Sequence, residues 1–462
     1  MRIRNPPWIL LSDVGPIPGA DHRNTSDSSD LASIPSPDAF PSLSEAAKEP
    51  QKSSKSSQVR DATLHLSCIR QYQRKQPPRT PLERFGAGYQ DYLQAPLQPL
   101  TDNLESITYE VFEKDPVKYD WYEEAIKRAL TDWKDDDKAA SGPNNTIVVA
   151  VVGAGRGPLV TRALRASEAA KVGIELWAVE KNPNACVLLE RHNEHDWHNR
   201  VNLVRSDMRS WKGPLREAVP SGDSPYGFSP GLPTTQLPGI YTPIDILVSE
   251  LLGSFADNEL SPECLDGILP LLNPSHGISI PHSYTAFLTP IAAPRLHADI
   301  ASRTTNDPTA PHTPYVVMLH AIDYLSTAST PAPPSTPQPT ILPVWSFIHA
   351  PAASPAPSTN SHNTRQARLT FRTRDRGVCH GLAGYFESVL YPGVELSTNP
   401  LTMEAKSPGM MSWFPIFFPL KVCPLFPSPP PPPPPTLSNF PSPASSPNPF
   451  SPNSPFPHPQ RS

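Results

Sequence analysis

"TIVVAVVGAGRGPL", Thr146 to Leu159, is the stretch that decides the fold. Its first half, IVVAVV, is an unbroken apolar run rich in β-branched residues. Such a run predicts a strand covered on both faces. Three glycines follow at alternate positions, Gly153, Gly155 and Gly157, and Pro158 opens what reads as a helix. Strand, glycine turn and helix in that order are the first half of a parallel β-α-β unit.

The same rhythm continues downstream. "IELWAVEKN" (174–182) predicts a second strand, "PNACVLLERHNEHDW" a helix, "RVNLVRSDM" (200–208) a third strand and "PIDILVSELL" a fourth. A Pro- and Gly-rich loop of about 30 residues from Gly213 interrupts the series, long for a compact domain. Strands alternating with helices imply a parallel sheet with helices on both faces. After "LDGILPLLNPSHG" the texture turns to short β-rich runs: "GISIPHSYTAFLTPI", "PYVVMLHAIDYL", "ARLTFRTR", "GLAGYFESVLY" and "MMSWFPIFFPLK". They predict an all-β second domain with a disordered insert near 325–365. Upstream, "DATLHLSCIRQYQRKQPP" (61–78) is a candidate amphipathic helix, and Asp115-Pro116 a break in an aromatic-rich helical region.

Proline accounts for 64 of 462 residues and is concentrated in 307–360 and after Lys421. Residues 1–60 read as disordered, and Pro429–Pro435 favours polyproline II. The expected folded part is therefore about 300 residues. The net charge is −5, with no basic stripe, which argues against direct nucleic-acid binding. No run approaches the ~18 apolar residues of a membrane span, so no membrane contact is expected. The five cysteines, Cys68, Cys186, Cys264, Cys379 and Cys423, are widely spaced. They suggest neither a zinc site nor a disulfide framework, and fit a reducing intracellular compartment.

Candidate chemistry gathers at the carboxyl ends of the strands, where open α/β sheets bind ligands. The glycine turn is GxGxG, one residue short of the dinucleotide pattern, and no P-loop lysine follows. It suits a ligand without phosphates against the loop, such as S-adenosylmethionine. Glu180 at the end of the second strand suits a ribose. Asp207 and Met208, at the end of the third, suit an adenine ring. Taken singly, the turn and Glu180 also read as structural, and Asp207 and Met208 as a helix cap and a core methionine.

"VSELLGSFADNELSPE" (248–263) adds Glu250 and Glu259 with no Lys or Arg between them. Two acids together suit a cation the chain does not supply. A guanidinium, protonated below about pH 12, is one that two carboxylates grip through bidentate bonds. The competing reading is that Glu259 is a first-turn helix acid favoured by the dipole. Spacing alone leaves both open.

The motif "SELLGSFADNELSPECLDG" resembles the double-glutamate loop of type II protein arginine methyltransferases. The resemblance continues through "PLQPLTDNLESITYEVFEKDPVKY", "GAGRGPL", "AVEKNPNA", "SDMRSW" and "SPGMMSWFPIFFPLK", spanning roughly 85–424 with inserts at 213–243 and 325–365. It implies a Rossmann-like class I S-adenosylmethionine-dependent methyltransferase sheet at 85–280. A β-barrel-like or sandwich domain for substrate and dimerisation would follow at 281–424, with largely disordered segments at 1–84 and 425–462. It implies Glu250 and Glu259 as the catalytic pair. Tyr109, Lys118, Tyr119, Gly153, Gly155, Gly157, Glu180, Asp207 and Met208 would hold S-adenosylmethionine. Phe112 would govern symmetric dimethylation, and Trp413 would lie near the substrate arginine. No metal is implied.

The resemblance further implies Gly/Arg-rich or histone-tail substrates, a homo-oligomer, and residence in cytoplasm and nucleus. The family's N-terminal barrel is matched only by short pieces such as "WILLSDVGPIPGA", so a WD-repeat partner is not expected. The proline tail stands where the family's final strands lie, which reads as a splice or gene-model change. The alternatives are a silent fragment, an interaction protein using its PxxP-rich tail, or a methyltransferase for another nucleophile. The paired acids disfavour the last.

Overall fold

The computed structural model describes residues 81–216, 240–328, 338–351, 359–373 and 376–421, with a few more near 70–78 and at 425–426. The expected disorder at 1–60, most of the helix expected at 61–78, and the polyproline run lie outside the described residues. Two helices lead in, α1 (Ser106–Glu113) and α2 (Pro116–Asp135). The parallel series follows: β1 (Ile147–Val152), α3 (Pro158–Ala170), β2 (Ile174–Glu180), α4 (Pro183–His195), β3 (Val201–Arg205) and β4 (Ile246–Ser249). A short helix, α5 (Ser261–Leu265), precedes a fifth strand, β5 (Ile278–Ile280).

The five strands form one sheet of order β3-β2-β1-β4-β5, with every neighbour parallel. The chain runs from β1 outward to β3 and then returns to the other side of β1. That reversal opens a crevice beyond the carboxyl ends of β1 and β4, where such sheets place their ligands. β1 is buried at all six positions, as its unbroken apolar run requires. Against it packs α2, whose Tyr122, Ile126, Leu130 and Trp133 recur every three or four residues and face one core. Asp115 caps α2 and Pro116 occupies its first turn, so the Asp-Pro break is the boundary between α1 and α2.

The β-rich second half is built on a seven-stranded antiparallel sheet, with two separate strand pairs among the described residues, Thr327–Ala328 with Gln338–Pro339 and Gly377–Val378 with Leu425–Phe426. The strands of the large sheet are β6 (Ser283–Ala292), β7 (Tyr315–Val316), β8 (Asp323–Tyr324), β9 (Leu342–Ile348), β10 (Gly381–Tyr391), β11 (Val394–Ser397) and β12 (Ile416–Pro419). The order is β8-β6-β10-β12-β7, with β9 also on β6 and β11 also on β10. Among the described residues the edge strands do not pair to close a barrel.

Four details differ from the sequence reading. "GISI" is not the start of the β domain but β5, the edge of the parallel sheet. A helix, α6 (Pro294–Arg303), interrupts the β region and buries Leu296 and Ile300, four residues apart. The insert expected to be disordered contains β9, which pairs with β6 from Ser283 to Leu288. Its Pro343 hid it, yet that proline sits at a register shift on a strand with one neighbour, where a missing N–H is tolerated. Conversely, "ARLTFRTR" forms no strand over 367–373. Its alternation is genuine, but the segment is mostly exposed and pairs with no strand over the described residues.

One buried acid fastens the far end of the parallel sheet. Asp245, fully buried, accepts from Ser141 N (2.9 Å), Ser141 Oγ (2.6 Å), Val148 N (2.9 Å) and Asn273 Nδ2 (2.9 Å). Asp245→Ala strands several buried donors at once and is expected to cost about 3 kcal/mol or more in urea unfolding. A loss under about 1 kcal/mol would show that these bonds do not secure β1 to β4.

Candidate active site

A cavity of about 480 Å³ opens at the reversal between β1 and β4. Twelve of the thirteen residues singled out from sequence line it: Tyr109, Phe112, Lys118, Tyr119, Gly153, Gly155, Glu180, Asp207, Met208, Glu250, Glu259 and Trp413. Gly157 does not. It has φ +96°, and a Cβ there would lie 2.5 Å from the Trp197 ring, so its glycine serves the packing of α3.

The cofactor side is built from strand ends. Glu180 is buried at the end of β2 and accepts from Gly155 N (2.7 Å) and Asn182 N (2.7 Å). Those bonds fix the carboxylate and hold the glycine turn against it. Gly155 has φ +55°, and a Cβ would come within 2.9 Å of the Tyr109 ring, so the turn lies directly under that ring. Asn182 donates to the Tyr109 hydroxyl (3.3 Å). Asp207 sits at the rim in a fork with Arg209, Oδ2 to Nη2 at 2.7 Å and Oδ1 to Nε at 3.0 Å. That pairing holds its carboxyl below the usual value. Asp207 lines the cavity and caps no helix: its Oδ1 accepts from Arg209 N (2.9 Å) in a short turn. A buried strand-end carboxylate, a glycine turn packed against an aromatic ring and a cavity of this size fit a nucleoside with a small charged tail.

The other side is built around a cation. Lys118, 1% exposed, places Nζ 3.1 Å from Glu250 Oε2. Three rings surround that ammonium, with centroids at 4.8 Å (Tyr119), 5.0 Å (Trp413) and 5.3 Å (Phe112). Burial works against the Lys118 charge, but Glu250, with smaller help from Tyr119 and Asp115, holds the ammonium above its ordinary value. Glu250 follows β4 immediately, and its Oε1 accepts from Leu252 N (3.2 Å). Glu259 ends the short 3-10 turn Asp257–Glu259. Leu260, at φ +62°, separates it from α5. Glu259 is therefore not a first-turn acid of that helix; Glu263 holds that place. Burial, and then the charge of Glu250, raise the Glu259 carboxyl well above its ordinary 4.5.

Sequence reasoning singled out Trp413 but missed the other groups that brace this loop. Tyr122 OH donates to Ser249 O (2.9 Å) just before Glu250. Trp345 Nε1, from β9, donates to Asp257 Oδ1 (3.0 Å). Tyr284 OH and Ser261 Oγ are 2.7 Å apart, and Trp413 Nε1 donates to Leu252 O (2.7 Å). Each reads in sequence as a core aromatic, and only the fold shows that its polar atom meets the loop.

A parallel sheet reversing beside a glycine turn, with strand-end acids facing one cavity, defines a Rossmann-like methyltransferase fold. The family model described as PRMT5 arginine-N-methyltransferase matches residues 80–280, and that described as PRMT5 oligomerisation domain matches 283–428. The chain belongs to the PRMT5 family. Protein arginine N-methyltransferase skb1 of Schizosaccharomyces pombe is 44% identical over 346 residues, 75% of this chain and 48% of the relative. Protein arginine N-methyltransferase 5 of Xenopus laevis is 41% identical over 365 residues, 78% of this chain and 49% of the relative. The protein of that name from Oryza sativa subsp. indica is 43% identical over 361 residues, 77% of this chain and 47% of the relative. The chain thus spans about half the length of the curated relatives it matches.

The raised Glu259 carboxyl gives a pH signature. An unfolded Glu259 titrates near 4.5 and the folded one higher, so folding takes up a proton between the two values. The stability this contributes is complete below 4.5 and is lost as pH rises through the folded value. Glu259→Gln removes the loss. Without added ligand its melting temperature should therefore gain on wild type more at pH 8 than at pH 5. An equal or opposite difference would contradict the burial assigned to this carboxyl.

Proposed function

We propose that this chain is a type II protein arginine methyltransferase. It uses S-adenosylmethionine and forms monomethyl and symmetric dimethylarginine on histone tails and Gly/Arg-rich RNA-processing proteins. The observation that carries this reading is the cation cage. Glu250 and three aromatic rings already surround an ammonium, and Glu259 faces the same cavity. Membership of the PRMT5 family supports it. The relatives' names support it too, since each is a protein arginine N-methyltransferase.

S-adenosylmethionine, when bound, supplies a methyl group activated by its sulfonium. Glu180 would hold its ribose, Asp207 and Met208 its adenine, and the Gly153–Gly155 turn with Tyr109, Lys118 and Tyr119 its remaining surface. Glu250 and Glu259 would accept from the guanidinium, fixing one terminal nitrogen and drawing positive charge toward the others. That orientation supplies much of the rate as effective molarity. A guanidinium between the acids would favour the charged form of Glu259, against the burial and the Glu250 charge that raise its carboxyl. Phe112, on the wall beside Lys118, would shape the space open to a methylated nitrogen, and Trp413 would close the opposite wall. Residues 85–280 would form the catalytic domain and 281–424 the substrate and dimerisation domain. The match to an oligomerisation-domain model supports a homo-oligomer. Cytoplasm and nucleus are its expected compartments.

Incorporation of labelled methyl into a Gly/Arg-rich peptide tests the roles of the two acids. Glu250→Gln and Glu259→Gln should each lower kcat by about 100-fold or more, while S-adenosylhomocysteine binding persists. Undiminished transfer in both variants would refute those roles.

A further inference from the structure

Asp115 lies between the two sides of the cavity and is 2% exposed. Its Oδ1 accepts from Val117 N (2.9 Å) and Lys118 N (3.4 Å), which is the helix cap of α2. Its Oδ2 faces the other way. It accepts from Met411 N (2.8 Å), Ser412 N (2.7 Å) and Ser412 Oγ (2.7 Å). The next residue is Trp413, whose ring stands over Lys118 Nζ and whose Nε1 binds Leu252 O. One buried carboxylate therefore ties the turn that presents Lys118 to the segment that presents Trp413. Trp413 in turn ties that segment to the double-glutamate loop. All five bonds come from neutral N–H or O–H groups, and no Lys or Arg forms an ion pair with Asp115 among the described residues. Only an acceptor with two oxygens satisfies donors on both sides.

We propose that Asp115 is a positioning residue for the substrate arginine, setting the spacing between the Trp413 wall and Glu250; this rests on the methyltransferase reading. The Gly153–Gly155 turn and Glu180 hold each other without it. Its Oδ2 bridge reaches the Trp413 segment and neither Glu180 nor the glycine turn, so its first effect falls on the arginine side of the cavity. Asp115→Asn leaves one oxygen for five donors, so its NH2 confronts donors on one side or the other. Ser412→Ala, which touches the bridge alone, separates bridge from cap.

Calorimetry on the full chain reads both sides, with S-adenosylhomocysteine first and a Gly-Arg-Gly repeat peptide added in its presence. Asp115→Asn should leave S-adenosylhomocysteine affinity within about threefold and weaken the peptide by about tenfold or more. In turnover the KM for peptide should rise while that for S-adenosylmethionine holds. Unchanged peptide affinity, or equal losses for both ligands, would overturn the proposal. If Asp115→Asn does not fold, Ser412→Ala removes one bond of the bridge and keeps the cap. It should weaken the peptide alone, by about threefold, and peptide affinity equal to wild type then overturns the proposal. Wild-type protein that binds S-adenosylhomocysteine but no arginine peptide would overturn the methyltransferase reading, and this inference with it.

Discussion

Holding two carboxylates at one apolar cavity is the constraint on which the rest of the structure depends. Each acid disfavours the charge of the other, and burial adds to the cost. The loop carrying them cannot be held by its own short turns alone. It is held from outside: Tyr122 from α2, Tyr284 from β6, Trp345 from β9 and Trp413 ahead of β12 each place a polar atom on it. Three of those four come from the second half of the chain. The antiparallel sheet is therefore a structural part of the site that begins on the parallel one.

Lys118 eases the same constraint from the inside. Its ammonium offsets the charge of Glu250 and fills an aromatic cage suited to a cation. The glycine turn works on the opposite side by removal. Without side chains at Gly153 and Gly155, backbone approaches Tyr109 and Met208 closely and leaves the nucleoside-sized space between them. The two sides share α1 and α2, whose junction Asp115 occupies, so the cavity is a joint property of packing and hydrogen bonding.

Much of this was legible in the sequence because it is local. An unbroken apolar run, alternate glycines and acids at strand ends predict β1, the turn and the location of the cavity. The double-glutamate loop read as two acids without a cation of the chain's own, whereas Lys118, 132 residues upstream, pairs with Glu250. The loop's chemistry was not fixed by spacing, and resemblance to a family chose between the readings. What stayed hidden depends on partners far along the chain. Asp115 reads as the stop in an Asp-Pro break, while its bridge reaches Ser412, 297 residues on. Trp345 lay in a stretch whose prolines mask a strand, and Gly157 shares the turn's pattern while its neighbour is Trp197. "ARLTFRTR" failed in the opposite sense, since alternation promises a strand only where a neighbouring strand pairs with it.

The central claim is that the cavity takes a guanidinium between Glu250 and Glu259 beside a methyl-donating nucleoside. Its most direct test is mass spectrometry of two peptides incubated with the purified chain and S-adenosylmethionine. One carries arginines in a glycine-rich frame, and the other carries lysine at the same positions. The account predicts methyl groups on arginine alone, with fragmentation marking the symmetric dimethyl product. Methylated lysine, or unmethylated arginine from protein that demonstrably binds the nucleoside, would contradict it.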